Sequence, residues 1–72
     1  MNINEKIGKR IIDIRKSQKL TAEKLAWSAD LSKSCISYAE KGNHDIKLST
    51  IYSICKAFNM SLAEFFKTFD KI

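Results

Sequence analysis

Residues 31–42 read LSKSCISYAEKG, and Lys33, Ser34, Ser37 and Tyr38 within that run all end in hydrogen-bond donors. None of the four is acidic. Donors gathered at the start of a helix suit two kinds of acceptor, the edges of nucleic-acid bases and phosphate oxygens. The rest of the chain offers little other chemistry. His44 is the one histidine, with no second histidine or carboxylate pair at ligand spacing. It reads first as an exposed loop residue and second as a phosphate contact. Cys35 and Cys55 form no Cys-x-x-Cys motif, so neither a zinc site nor any other metal is expected. Cys35 lies near a helix start beside Lys33, a setting in which thiols become reactive; an inert thiol is still the expectation, and Cys55 reads as core. There is no glycine-rich phosphate loop, no paired carboxylates in a pocket-forming context, and too little chain for a cleft. An enzyme and a cofactor are therefore not expected.

Positioning those donors falls to a chain of 72 residues without proline. That length allows one domain, residues 1–72, with a small core. Ile7, Ile11 and Ile14 recur at helical spacing and predict a first helix over about 5 to 18, capped by Asn2 or Asn4. Thr21 is the predicted cap of AEKLAWSA, with Leu25, Ala26 and Ala29 inward and Glu23 facing the positive end of the helix dipole. Asp30 then suits a sharp left-handed turn. Ser32 caps KSCISYAEK, which stops at Gly42. A fourth helix is predicted over 48 to 58, with Leu48, Ile51, Ile54, Cys55 and Phe58 inward. Ser61 caps a fifth, LAEFFKTFDKI, with Leu62, Phe65, Phe69 and Ile72 on one face. Two short helices joined by a tight turn inside a small basic bundle make a helix-turn-helix. Ala26 would let them cross closely, and Leu31 and Ile36 would plug the shared core.

Thirteen Lys plus Arg oppose eight Asp plus Glu, for a net charge of +5. Lys6, Lys9, Arg10, Arg15, Lys16 and Lys19 precede residue 20, against only Glu5 and Asp13. The balance favours a polyanionic partner. No apolar run is long enough to cross a membrane, no signal peptide is expected, and reduced thiols suit the cytoplasm.

The segments IGKRIIDIRKSQKLTAEKLA, LSKSCISYAEKG and LSTIYSICKAFNMSLAEFF together resemble the phage-repressor-like (Xre/Cro type) helix-turn-helix domains. The resemblance covers roughly residues 5 to 68. Within that family, LAWSADLSKSCIS and HDIKLSTI are most similar to the controller proteins of restriction–modification systems, which carry an aromatic at the Trp27 position. The resemblance implies an all-α, compact five-helix DNA-binding domain with helices 2 and 3 as the helix-turn-helix. It implies that Lys33, Ser34, Ser37 and Tyr38 meet base edges or nearby phosphates, that Cys35 faces the same groove, and that Asn43 and His44 contact the DNA backbone. It pairs Arg15 with Glu40 as a structural ion pair, and it implies a homodimer through the last helices. Ala22, Ile12, Ala39 and Lys47 depart from the family pattern. Ala22 lacks the usual glutamine's contact to DNA, and Ile12 leaves an apolar side chain for solvent or a partner. Ala39 leaves space for Trp27 or Tyr38, and Lys47 replaces a capping hydroxyl.

For Lys33 the bland alternative is a solubilising lysine, which its place at the first turn of a recognition helix disfavours. Tyr38 is evenly divided between packing over Ala39 and donating its hydroxyl to a phosphate. Trp27 is expected to be a partly buried cover on the second helix. Phe65, Phe66 and Phe69 cannot all face one side of a helix, since successive residues point about 100° apart. Phe66, with Tyr52 and Phe69, is therefore the expected dimer patch. The function expected is a sequence-specific regulator of transcription that binds double-stranded DNA and takes no small-molecule ligand. The alternative is an antitoxin-like or accessory module that binds another protein through Ile12, Trp27 and Phe66.

Overall fold

The computed structural model describes residues 2–69. They form α1 (Ile3–Ser17), α2 (Ala22–Ala29), α3 (Lys33–Lys41), α4 (Leu48–Ala57) and α5 (Leu62–Phe66). No strand occurs among the described residues, in agreement with the all-α expectation.

Short polar side chains set the helix starts. α1 begins at Ile3 rather than near residue 5 because Asn2 and Glu5 form a capping box. The Glu5 amide donates to Asn2 Oδ1 at 2.9 Å and the Asn2 amide to Glu5 Oε1 at 3.0 Å. Thr21, Ser32 and Ser61 each accept the amide three residues on, at 3.0 Å, as expected. Each such cap is worth about 1 kcal/mol. α4 has none, because Lys47 occupies its cap position. Four helices end at left-handed residues: Asp30 (φ 58°) and Gly42 (φ 69°) as the C-caps of α2 and α3, and Lys19 (φ 58°) and Asn59 (φ 60°) one residue past the C-caps of α1 and α4. At Asp30 the chain reverses tightly, and the Leu31 amide bonds back to the Ala26 carbonyl at 2.9 Å.

The core gathers one face of every helix: Ile7, Ile11 and Ile14; Leu25 and Ala26; Ile36 and Ala39; Ile51, Ile54 and Cys55; and Phe65, with Phe58 from the end of α4. Burial pushes the Cys55 thiol above its usual value against the pull of Arg10, so it is held as a neutral apolar group. Among the described residues, no helix is long and apolar enough to cross a membrane.

Three expectations need correction. Leu48 is 61% exposed, not inward. It opens α4, and helical side chains lean toward the N-terminus, so it leans past the first turn, where its neighbours Lys47 and Ser49 are also exposed. Trp27 is 85% exposed rather than partly buried. Leu25, Ala26 and Ala29 claim the inner face of α2, and Trp27, two residues from both Leu25 and Ala29, falls about 200° away from each.

The fifth helix ends at Phe66, far short of its predicted length. Arg10 is the cause: its Nε donates to the Phe65 carbonyl at 2.9 Å and Nη2 to the Glu64 carbonyl at 3.0 Å. In a longer helix those two carbonyls would accept the amides four residues on. An arginine from α1 takes them instead and closes the helix. Phe69 lies beyond that end, half-buried, with its ring 4.9 Å from that of Phe66. The expectation for Ile72 falls outside the described residues.

Candidate nucleic-acid interface

α3 exposes the donors because its other face is committed. Ile36 and Ala39 are buried, and Gly8 brings the α1 backbone directly against the end of the helix. A Cβ at position 8 would sit 2.6 Å from the Glu40 carbonyl oxygen and 2.8 Å from that of Ala39. Gly42 is equally confined, since a Cβ there would lie 2.7 Å from the Glu5 Cα. Glycine in mid-helix costs up to about 1 kcal/mol relative to alanine, so a lone glycine amid the isoleucines of α1 signals a close approach. Sequence reasoning had that signal available and did not single out Gly8.

The only acidic residue of α3 is turned away from the donors. Arg15 Nε donates to Glu40 Oε2 at 2.7 Å and Nη2 to Oε1 at 3.3 Å, with the two side chains 16% and 13% exposed. Arg15 Nη1 also donates to the Leu20 carbonyl at 3.0 Å. The forked pairing neutralises Glu40 and ties α3 both to α1 and to the turn that enters α2.

What remains outward is a shallow groove of about 370 Å³ lined by Lys33, Ser34, Ser37, Tyr38, Lys41, Asn43 and His44. Six of these were singled out from the sequence; Lys41, in the last turn of α3, was missed. Cys35 is the exception among the singled-out residues. It is half-buried and lines a neighbouring groove with Ala39, Ile46 and Thr50. Tyr38 and His44 border both grooves, with ring centroids 4.6 Å apart and planes tilted by 49°. Lys33 Nζ lies 3.8 Å from Glu23 of α2, an exposed pair that a stronger anion can displace.

The early cluster of cations is less available than composition implied. Lys9 pairs with Asp13 at 3.8 Å, while Arg10 and Arg15 are engaged inside the protein. Among the described residues, Lys6, Lys16 and Lys19 take part in no salt bridge. Of the residues expected at a dimer interface, Tyr52 is exposed, with Lys56 Nζ 5.6 Å from its ring, and Phe66 and Phe69 are half-buried in mutual contact.

Comparison with known proteins agrees with the five-helix fold. Over 64 residues, 89% of this chain, the sequence is 34% identical to the HTH-type transcriptional regulator PuuR of Escherichia coli (strain K12), and it matches PuuR of Shigella flexneri equally. The chain spans about a third of the length of those relatives, 35%. Among solved structures, the wild-type restriction-modification controller protein C.Esp1396I is similar with a TM-score of 0.88 at 25% identity, covering 99% of this chain and 92% of that one. The same protein bound to a 25 base pair operator site also gives 0.88 at 25% identity, covering 99% and 93%. C.AhdI from Aeromonas hydrophila, another controller protein, gives 0.82 at 27% identity, covering 88% of this chain and 96% of that one. The helix-turn-helix family matches residues 11–65, most of the sequence, and the chain therefore belongs to the helix-turn-helix family.

Proposed function

We propose that this helix-turn-helix regulator binds double-stranded DNA through α3, as a homodimer on a pseudo-palindromic operator, in the manner of a restriction–modification controller. Residues 1–72 act as one DNA-binding domain in the cytoplasm, with no catalytic role. The observation that supports the reading best is the outer face of α3. Its donors Lys33, Ser34, Ser37 and Tyr38 stand together; Arg15 holds the one carboxylate of α3, Glu40, inward, and the remaining carboxylate nearby, Glu23 of α2, makes only a loose, exposed pair with Lys33 at 3.8 Å. Such a face inserted in a major groove would meet base edges, while Asn43 and His44 flank it at the phosphates. The start of α4 adds a second anion-friendly feature: its first amides have no side-chain cap, and a DNA phosphate would satisfy them. Half-sites one helical turn apart, about 10 bp, are expected for a dimer.

Fluorescence anisotropy against DNA from upstream of the gene, with a scrambled duplex at the same salt, tests the reading. A preference of about 10³-fold or more for the upstream duplex is the expected result. Lys33→Ala and Ser37→Ala should each weaken that binding without unfolding the protein. Unchanged affinity in both variants would remove α3 from the interface.

A second reading has one observation in its favour. Trp27 stands 85% exposed on α2 and does not line the donor groove, which suits an antitoxin-like or accessory module with a protein partner. Co-purification of a second small protein, lost in Trp27→Ala, would favour it.

A further inference from the structure

Tyr38 stands between two grooves. On one side lies the groove it shares with Lys33, Ser34 and Ser37; on the other lies one of about 490 Å³ floored by Ala39 and Ile46. Ala39 is small, and Trp27, the other side chain large enough to fill that space, is turned out to solvent. The second groove is thus an open alternative for the phenol ring, which is 57% exposed and has no hydrogen bond within the protein among the described residues. The contact that stands against such a move is His44, whose ring lies 4.6 Å from that of Tyr38.

His44 is itself well placed to serve as a stop. Gly42 begins its loop in a left-handed conformation pressed on Glu5, and the next turn is tied down by Asn4 Nδ2 donating to Asp45 Oδ1 at 2.9 Å. Both anchors lie on the first turn of α1, so the loop is fixed from each side of residue 44. A ring held by a fixed loop restrains its neighbour at little further entropic cost, and tilted aromatic pairs at this separation attract.

We propose that His44 is a positioning residue for recognition: its ring backs Tyr38 and keeps the phenol on the base-facing side of α3, out of the Ala39–Ile46 groove. The proposal rests on α3 being the reading helix. It assigns His44 an effect on specificity, whereas a plain phosphate contact would change affinity for all sequences alike.

The test compares His44→Ala with His44→Phe, which keeps a ring and discards both nitrogens. Operator affinity should fall about five- to tenfold in His44→Ala, the scale of one lost hydrogen bond, while binding to the scrambled duplex stays constant. His44→Phe should recover operator affinity to within about twofold of the parent. In a Tyr38→Ala background, His44→Ala should add no further loss. Equal weakening on operator and scrambled duplex in both variants would mean a phosphate contact and would overturn the proposal. The free protein supplies an independent readout: the Tyr38 ring-proton NMR shifts should relax toward unstructured values in His44→Ala and stay displaced in His44→Phe. Shifts unchanged in His44→Ala would overturn the positioning role whether or not any operator is found. If those shifts do relax but no duplex is preferred, the reading of α3 fails while the ring pairing stands.

Discussion

α3 and α5 are both fastened to α1, by opposite means. At α3 the two backbones touch over Gly8, and a bidentate Arg15–Glu40 pair locks the same end of the helix from further along α1. At α5 the link is one long side chain, Arg10, laid across two carbonyls with its guanidinium 5.9 Å from the centre of the Phe65 ring. Backbone against backbone leaves no rotamer to adjust, whereas an arginine can shift or be replaced at the cost of its own bonds. The helix that presents the donors is the rigidly placed one. The helix bearing the Phe66–Phe69 pair is short and held by a single reach. Precision is thus concentrated at the helix proposed to meet a fixed array of base and phosphate groups.

Three perturbations would break or sharpen this contrast. The largest effect is expected at Gly8→Ala. The new methyl would meet two carbonyl oxygens at 2.6 and 2.8 Å, so α3 must move, and a net destabilisation of about 2 kcal/mol should remain after the gain in helix propensity. Urea unfolding measures the loss, and amide shifts across 33–41 should move. A variant as stable as the parent would show that the crossing is looser than described.

Arg10→Met should cost less, about 1–2 kcal/mol, since its two bonds are partly solvated and a methionine can still cover Phe65. Its signature is spatial: amides near residues 62–66 shift while those of α3 do not. Movement at α3 would erase the distinction between the two fastenings.

The smallest effect concerns Glu64, whose carboxyl is held below its ordinary value by the hydrogen bond and charge of Lys67, 2.7 Å away. A carboxylate with a lowered pKa in the folded chain binds fewer protons there than when unfolded. Its contribution is therefore present above the ordinary carboxylate range and lost as pH falls through the lowered value. Lys67→Met should flatten the acid side of the stability profile slightly and leave the neutral region nearly unchanged. An identical acid limb in the variant would dissociate the pair from stability.

Much of the architecture was legible from local signals. Asn2, Thr21, Ser32 and Ser61 cap helices because a hydroxyl or amide needs only the amide three residues ahead. Asp30 and Gly42 end them for reasons contained in their own backbones. The errors arose where a distant neighbour decides. The end of α5 is set by Arg10, some 55 positions earlier in the chain, and no periodicity in LAEFFKTFDKI announces it. Arg10 was instead counted as one more charge for an anionic partner. Trp27 is a different kind of error, because the spacing of Leu25, Ala26 and Ala29 already turned it outward and only its size suggested cover. At the interface, the donor run was legible because its residue types are unusual together. The flank position of Cys35, the inward turn of Glu40 by way of Arg15, and the pairing of Tyr38 with His44 depend on side-chain directions that only the folded chain fixes.

The contacts that bury α3 come from behind: Gly8, Ile36, Ala39 and Glu40. Lys33 and Ser34 are exposed, Lys33 meeting only the exposed Glu23, while Ser37 is half-buried at the margin. Exchanges at Lys33 and Ser34 would be nearly invisible to folding, so, on the reading of α3 proposed above, descendants of such a chain can drift from one cognate site to another without passing through an unstable intermediate. The backbone crossing at a single glycine is thus a source of evolvability, because it separates the part of the helix that is inherited from the part that is free to vary.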